Sequence, residues 1–247
     1  MVSEQQVLLV DAGNSRIKSV LLNSANVSEP DVHLSLDSFL GWLKNKNFSH
    51  LYLSNVGKND ISERIASFCV EQNVAFIEIF TEKENFGIKN RYENVSRMGV
   101  DRWLAMVAAQ EMTEKPFCVI DVGTAITCDF VVDGQHLGGW ITPGYHLMQD
   151  ALVKNTARVF AEEAKPSQLA PGTYTEECVS QGCLAAVNGV YLSAIAQLAS
   201  ERSDFAIIIG GGDKNMLAII ESTDTIRSAN LVVQGLCLLY TSPSPRD

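Results

Sequence analysis

At 247 residues, with 46% apolar and 19% charged side chains, the chain is long enough for two domains of ordinary size, each with its own core. A formal net charge of −10 argues against a nucleic-acid partner, which would need clustered Lys and Arg. No uninterrupted apolar span approaches the roughly 18 residues of a membrane helix, and the start MVSEQQ lacks the parts of a signal peptide, so a soluble cytoplasmic protein that binds no membrane is expected.

The predicted elements begin with a nearly continuous apolar run, Gln6 to Val10, which has the pattern of a central strand covered on both faces and ends at Asp11-Ala12-Gly13-Asn14. A second strand follows over Ile17 to Leu22, with Lys18 directed either to a phosphate or, by slight preference, to solvent. A short helix opening at Asp37, a strand from His50 to Val56 closing on Gly57, a helix near Ile61 to Glu71 and a strand from Val74 to Phe80 give a mixed sheet with helices packed on it. Residues 81–100 are polar and read as a loop, with Tyr92 isolated among charged neighbours; such a loop is either filler or a binding segment. After Gly99-Val100-Asp101-Arg102 comes a helix of about three turns, with Asp101 expected at its N-cap. A cap and a proton acceptor can be the same carboxylate.

Cys118 to Gly144 holds the central pattern: an apolar run climbing to Asp121, a Gly123-Thr124 turn and a second apolar run descending to Asp133-Gly134. Gly123 allows a close backbone approach and Thr124 adds a hydroxyl beside its own N–H, which together suit a phosphate. The N-terminal stretch repeats this layout, with Asp11, Gly13 and Asn14 in the places of Asp121, Gly123 and Thr124, 110 residues earlier. The repeat predicts a duplicated domain with two acid-bearing turns facing one cleft.

A helix over Tyr145 to about Phe160 is expected next, with His146 as a polar-face or core residue, then a loop from Ala164 to Tyr174. Thr175-Glu176-Glu177 caps a helix expected to break at Gly182, and Ala185 to Ser200 forms the most apolar helix. Ala206 to Ile209 is a strand emptying into Gly210-Gly211-Gly212-Asp213, where backbone can lie close to a ligand, before a helix over Lys214 to Ile220. Leu231 to Tyr240 reads as a final helix. The domains are drawn at 1–114 and 115–240, with 241–247 as a structureless tail. The six cysteines lie scattered without Cys-x-x-Cys spacing, so reduced buried thiols are expected rather than zinc ligands or disulfides.

Neither a P-loop nor a Gly-x-Gly-x-x-Gly turn is present, so another phosphate-binding design is needed. Two acid-bearing strand-turn-strand units joined to a late strand-GGGD-helix form the arrangement of the acetate and sugar kinase, Hsp70 and actin superfamily. Within it the chain resembles the type III pantothenate kinases from Val7 to about Leu239. The resemblance is carried by VDAGNS at 10–15, GVDRW at 99–103, IDVGTAITCDFV at 120–131, DGQHLGGWITPG at 133–144, PGTYTE at 171–176 and GGD at 211–213.

That resemblance implies an α/β fold of two tandem RNase H-like domains, each a mixed sheet flanked by helices. It also implies a homodimer whose partner subunit completes the substrate pocket, and ATP-dependent phosphorylation of pantothenate to 4′-phosphopantothenate, the entry step of coenzyme A synthesis. Asp11, Ala12, Gly13, Asn14, Ser15, Lys18, Thr124, Gly211 and Gly212 would meet ATP, with Asp11 holding Mg²⁺ through water. Asp101 would be the general base. Tyr92, Gly99, Val100, Arg102 and Thr175 would join it in binding pantothenate, with Thr173 the lesser candidate for the threonine role, and Asp121 would hold K⁺ or NH₄⁺. Relatives commonly carry Asn-Thr where this chain has Asn14-Ser15, which keeps the hydroxyl. The rival readings are a superfamily kinase acting on another small alcohol or acid, a regulatory accessory protein of the same fold, and a nucleotide-binding structural protein.

Overall fold

Val7–Ala12 (β1) is buried at every residue because its two faces meet two different sets of helices. Leu8, Val10 and Ala12 point into a cluster with Phe39 and Leu43 of α1 (Leu36–Leu43) and Ile65, Phe68 and Cys69 of α2 (Asn59–Glu71). Val7 and Leu9 point the other way, toward Val100 and Leu104 of α3 (Val100–Gln110) and Val233 and Leu236 of α6 (Leu231–Thr241). The period-2 alternation of a strand sandwiched between helices therefore appears in sequence as an unbroken apolar run.

The computed structural model describes residues 6–22, 30–160, 165–218, 220 and 225–241, in two units. The first comprises 1–83, 92–108 and 231–247. Its sheet has the order β3-β2-β1-β4-β5, with β2 at Ile17–Leu22, β3 at Asp31–His33, β4 at His50–Asn55 and β5 at Ala75–Glu78. β1, β2 and β3 run antiparallel in turn, while β4 and β5 run parallel to β1. The short strand β3 was not foreseen, and α1 is capped not at Asp37 but by Ser35, whose Oγ accepts from the Ser38 N–H at 3.1 Å.

The second unit comprises 84–91 and 109–230. Its sheet runs β12-β11-β8-β9-β10-β7-β6, from β6 (Glu84–Asn85), β7 (Ile88–Lys89), β8 (Phe117–Val122), β9 (Ala125–Val132), β10 (Gln135–Pro143), β11 (Ala206–Gly210) and β12 (Thr225–Arg227). Read as β10-β9-β8-β11-β12, five of these strands repeat the order and the directions of the first sheet. β8 lies 110 residues after β1, so the duplication seen in the acidic turns extends to topology. Alternate residues Cys118, Ile120, Val122, Ile126, Cys128 and Phe130 face a core with Tyr145 of α4 (Tyr145–Asn155) and Val179, Leu184 and Val187 of α5 (Thr175–Glu201).

Several elements differ from the sequence reading. Residues 81–100 are not all loop: β6 and β7 form a hairpin through Phe86 (φ 51°) and Gly87 (φ 72°), and β7 joins the second sheet beside β10. β10 itself hides in the sequence because a bulge between His136 and Gly138 breaks its alternation, and it is entered through an Asp133-Gly134 turn with both φ values positive. α4 stops at Asn155, and Lys214–Leu217 is a short 3₁₀ turn rather than a helix to Ile220. α5 does not break at Gly182, since burial of Val179, Cys183, Leu184 and Val187 outweighs the roughly 1 kcal/mol cost of one helical glycine. α5 is also long and apolar enough by length and composition to cross a bilayer, contrary to expectation, though its buried face packs in this core. Residues 242–247 of the foreseen tail lie outside the described residues, and Thr241 ends α6.

The units are not sequential blocks. The sequence reading gave 231–240 to the second domain, whereas α6 packs on β1 and β4 in the first. Gly235 permits this: a methyl there would stand 2.3 Å from the Leu104 carbonyl oxygen of α3. Gly235→Ala should therefore force α6 off α3 and lower unfolding stability by about 1–3 kcal/mol, read from the midpoint of a urea titration.

Candidate active site

Asp11 is the fifth residue of β1, so alternation places it on the Val7 and Leu9 side, the side covered by α3 and α6. It is 8% exposed. Lys18 stands directly opposite it on β2 and Ser54 beside it on β4, so both share its face. Lys18 thus shares the face of Asp11 and is half-buried there. Ser54 Oγ is fully buried and has no hydrogen-bond partner, a polar atom left over next to a carboxylate.

Beyond Ala12 the chain turns through Gly13 to Arg16, closed by the Gly13 N–H donating to the Arg16 carbonyl at 3.1 Å, and Asn14 and Ser15 are exposed at its tip. From behind, the Val56 N–H donates to the Ala12 carbonyl at 3.0 Å. A methyl on Gly57 would lie 3.3 Å from the Gly13 carbonyl oxygen. Residues 55–58 therefore back the acid turn directly.

The same loop reaches the start of α3. A methyl on Gly99 would lie 3.6 Å from Val56 Cγ1 and 2.5 Å from Asp101 Oδ1. Asp101 is not the N-cap. The Trp103 N–H bonds to the Gly99 carbonyl at 3.3 Å, so Gly99 occupies the capping station and Asp101 is the second helical residue. Its Oδ1 accepts from the Arg102 N–H at 2.8 Å, which turns the carboxylate back over Gly99. A first-turn acid is also favoured by the helix dipole. Arg102 is 6% exposed, and its Nη1 donates to the Tyr92 hydroxyl at 3.1 Å with the guanidinium 5.8 Å from the ring centre. Tyr92 is held in turn by Lys83 Nζ on its carbonyl at 2.8 Å. Thus Tyr92, Gly99, Val100, Asp101 and Arg102, read separately in sequence, form one connected group in the first unit.

In the second unit, Asp121 has the corresponding place on β8, half-buried and opposite Thr127. The turn is shorter, two residues closed by the Gly123 N–H donating to the Ala125 carbonyl at 3.0 Å, and Thr124 is exposed. Gly144 backs it, its N–H donating to the Thr124 carbonyl at 2.9 Å where any side chain would strike the Gly123 oxygen. The glycine turn after β11 backs it too. The Asp213 N–H holds the Val122 carbonyl at 2.9 Å, and Gly211, at φ 91°, has room for no methyl beside that same oxygen. Lys165 pairs with Asp213 at 2.5 Å. Thr175 is exposed at the first turn of α5. There Glu177 Oε2 accepts from the Thr173 N–H at 2.7 Å and its hydroxyl at 2.9 Å, which hold the Glu177 carboxyl below its ordinary pKa.

Sequence reasoning missed the loop at Asn55, the buried Ser54 hydroxyl and a buried trio in which His136 Nε2 lies 3.1 Å from Asp129 Oδ1 and Nδ1 lies 3.4 Å from Asn90 Oδ1. The trio spans β9, β10 and the chain after β7, and only its conjunction of His and Asp in one hairpin could have signalled it.

A family model described as type III pantothenate kinase matches residues 7–197. The chain belongs to the type III pantothenate kinase family. A type III pantothenate kinase of Pseudoalteromonas atlantica is 37% identical over 240 residues, covering 96% of this chain and 98% of that one. A type III pantothenate kinase of Pseudomonas savastanoi is 35% identical over 245 residues, covering 94% and 98%. Among solved structures, a Campylobacter jejuni protein assigned to the Baf family of transcriptional activators superposes with a TM-score of 0.62 at 24% identity, covering 93% of this chain and 95% of that one. Component A of the Acidaminococcus fermentans (R)-2-hydroxyglutaryl-CoA dehydratase gives 0.51 at 13% identity, covering 94% and 95%. These structural likenesses bear on fold alone.

For a pantothenate kinase the crowding at Gly99 has a sharp consequence. Gly99→Ala should leave α3 folded, because the clashing atom is the end of a side chain, yet expel the Asp101 carboxylate from its place. Thermal melting should stay within a few degrees of the parent while turnover falls roughly tenfold or more, measured by coupled ADP release.

Proposed function

We infer that this chain transfers the γ-phosphoryl group of ATP to the primary hydroxyl of pantothenate, yielding 4′-phosphopantothenate for coenzyme A synthesis. The observation that carries the reading is the joining of Asp101, Gly99, Arg102 and Tyr92 into one group backed by the loop that also backs the Asp11 turn. In this assignment Asp101 orients the substrate hydroxyl and accepts its proton as the hydroxyl attacks in line. Arg102 and the Gly99-Val100 backbone hold pantothenate, whose carboxylate suits a guanidinium, and Tyr92 forms a wall. Thr175 completes the pocket from the partner of a homodimer. Support for association comes from apolar side chains left exposed on β10 and α4: Leu137, Trp140, Ile141, Leu147, Leu152 and Val153.

The turns at Asp11, Ala12, Gly13, Asn14 and Ser15, with Lys18, and at Thr124, Gly211 and Gly212 take the nucleotide. No group of three or more His, Cys, Asp or Glu side chains that could hold a metal occurs among the described residues. That fits Mg²⁺, which keeps much of its water and shares its remaining places between one or two carboxylates and substrate phosphates. Asp11 would hold it through water. When bound, the ion neutralises charge on the transferring phosphoryl group. Asp121 is assigned to K⁺ or NH₄⁺. The cytoplasm, where ATP and pantothenate meet, is the assigned compartment.

Two of the rival readings, a regulator and a structural nucleotide binder, predict no turnover; a related kinase of the superfamily would phosphorylate a different acceptor. Incubation with ATP, Mg²⁺, K⁺ and pantothenate, followed by mass spectrometry, should yield phosphopantothenate, with the yield collapsing when Na⁺ replaces K⁺. No product under any salt would sink the reading, and product indifferent to the cation would remove only the role of Asp121. Asp101→Asn keeps an oxygen for the Arg102 N–H but cannot take a proton. It should melt like the parent and lose about 10²–10⁴-fold in kcat.

A further inference from the structure

The strand end Ser54-Asn55-Val56-Gly57 occupies, in the first unit, the station that Gly210 to Asp213 occupies in the second: Ser54 pairs with Asp11 in register as Gly210 pairs with Asp121. Both segments donate one N–H to the carbonyl that ends the leading strand, Val56 to Ala12 at 3.0 Å and Asp213 to Val122 at 2.9 Å. They are held in shape by different means. The second-unit turn uses a left-handed glycine, Gly211 at φ 91°. The first-unit loop has no positive φ between 54 and 58 and is held by a side chain instead.

That side chain is Asn55. Its Oδ1 accepts from the Gly57 N–H at 2.9 Å, closing a local turn, and its Nδ2 donates to Ser62 Oγ at 2.8 Å. Ser62 Oγ donates onward to Glu78 Oε1 at 2.6 Å, so the loop is tied to α2 and to the end of β5. A primary amide carries both the acceptor and the donors this requires; a carboxylate lacks the donor and a hydroxyl the reach. The backbone fixed in this way touches two things at once. Val56 and Gly57 back the Ala12-Gly13 turn, and the Val56 side chain packs against the cluster that includes Val100 and Leu104, with its Cγ1 3.6 Å from where a methyl on Gly99 would lie.

We propose that Asn55 is a positioning residue for phosphoryl transfer, whose amide holds the 55–58 loop so that the nucleotide turn and the Asp101 helix start keep their mutual spacing. This rests on the roles assigned above to Asp11, Gly13 and Asp101. Phosphoryl transfer depends chiefly on placement, and a displacement near 1 Å can cost on the order of 10²-fold. A loop that only fills space would affect stability without touching the chemical step.

Steady-state kinetics and thermal melting on the purified full chain distinguish the two, with Asn55→Ala, Asn55→Ser and Ser62→Ala compared with the parent well below their melting temperatures. Asn55→Ala should lower kcat roughly tenfold while the KM values for ATP and pantothenate move less than about threefold. Ser62→Ala should give a smaller loss of kcat, and Asn55→Ser, which keeps an acceptor for the Gly57 N–H, should recover part of what alanine removes. An unchanged kcat in a folded Asn55→Ala, or a loss that merely follows the unfolded fraction, overturns the proposal. If Asn55→Ala does not fold, parental kcat in both milder variants overturns it equally. A parent protein that forms no phosphopantothenate defeats the functional reading first, and this inference with it.

Discussion

One backbone hydrogen bond, made twice, underlies both acid-bearing turns. At the end of β1 the Ala12 carbonyl is held by the Val56 N–H, and at the end of β8 the Val122 carbonyl is held by the Asp213 N–H. Each bond is worth only about 0.5–1.5 kcal/mol net, so its importance is geometric. It fixes the residue just after Asp11 or Asp121 against the next parallel strand, and so fixes where the carboxylate leaves the sheet. Small residues stand behind these turns at Gly57, Gly144 and Gly211 because the backbones approach too closely for a side chain.

The two units share a strand order yet have diverged at their turns. The first carries a four-residue loop with Asn14 and Ser15 outside and a buried acid; the second carries a two-residue turn with a half-buried acid. The first also carries the Asp101 group, for which the second has no counterpart in the duplicated strands. Duplication thus supplied two similar acid turns that have come to differ in loop length and in the burial of the acid.

The residues of the candidate site stand out in the sequence because their signals are local. Asp11 and Asp121 were found from strand, acid and glycine in succession, and Tyr92 from its isolation in a polar stretch. The start of α3 was misread by two residues: Asp is a strong cap by type, but the chain arrives from the 3₁₀ turn at Val95–Arg97 in a way that makes Gly99 the capping station. Gly182 looked like a helix breaker because propensity was weighed without the core that α5 covers. β10 was lost because its bulge and its glycines erase the alternation by which strands are recognised. Asn55 gave no signal, since the groups its loop touches are a turn that begins at Gly13, 42 residues before it, and a helix that begins at Val100, 45 residues after it.

By itself the sequence determined the duplication, the acid at the end of each leading strand and the family, because these are written in contiguous motifs whose chemistry does not depend on distant partners. Tertiary structure alone decided that the last helix returns to the first unit, that Asp101 lies over Gly99 rather than capping its helix, and that one loop backs both the Asp11 turn and the start of α3. Those outcomes are set by packing at close range, where a missing β-carbon or a shared carbonyl counts for more than any residue's own preference.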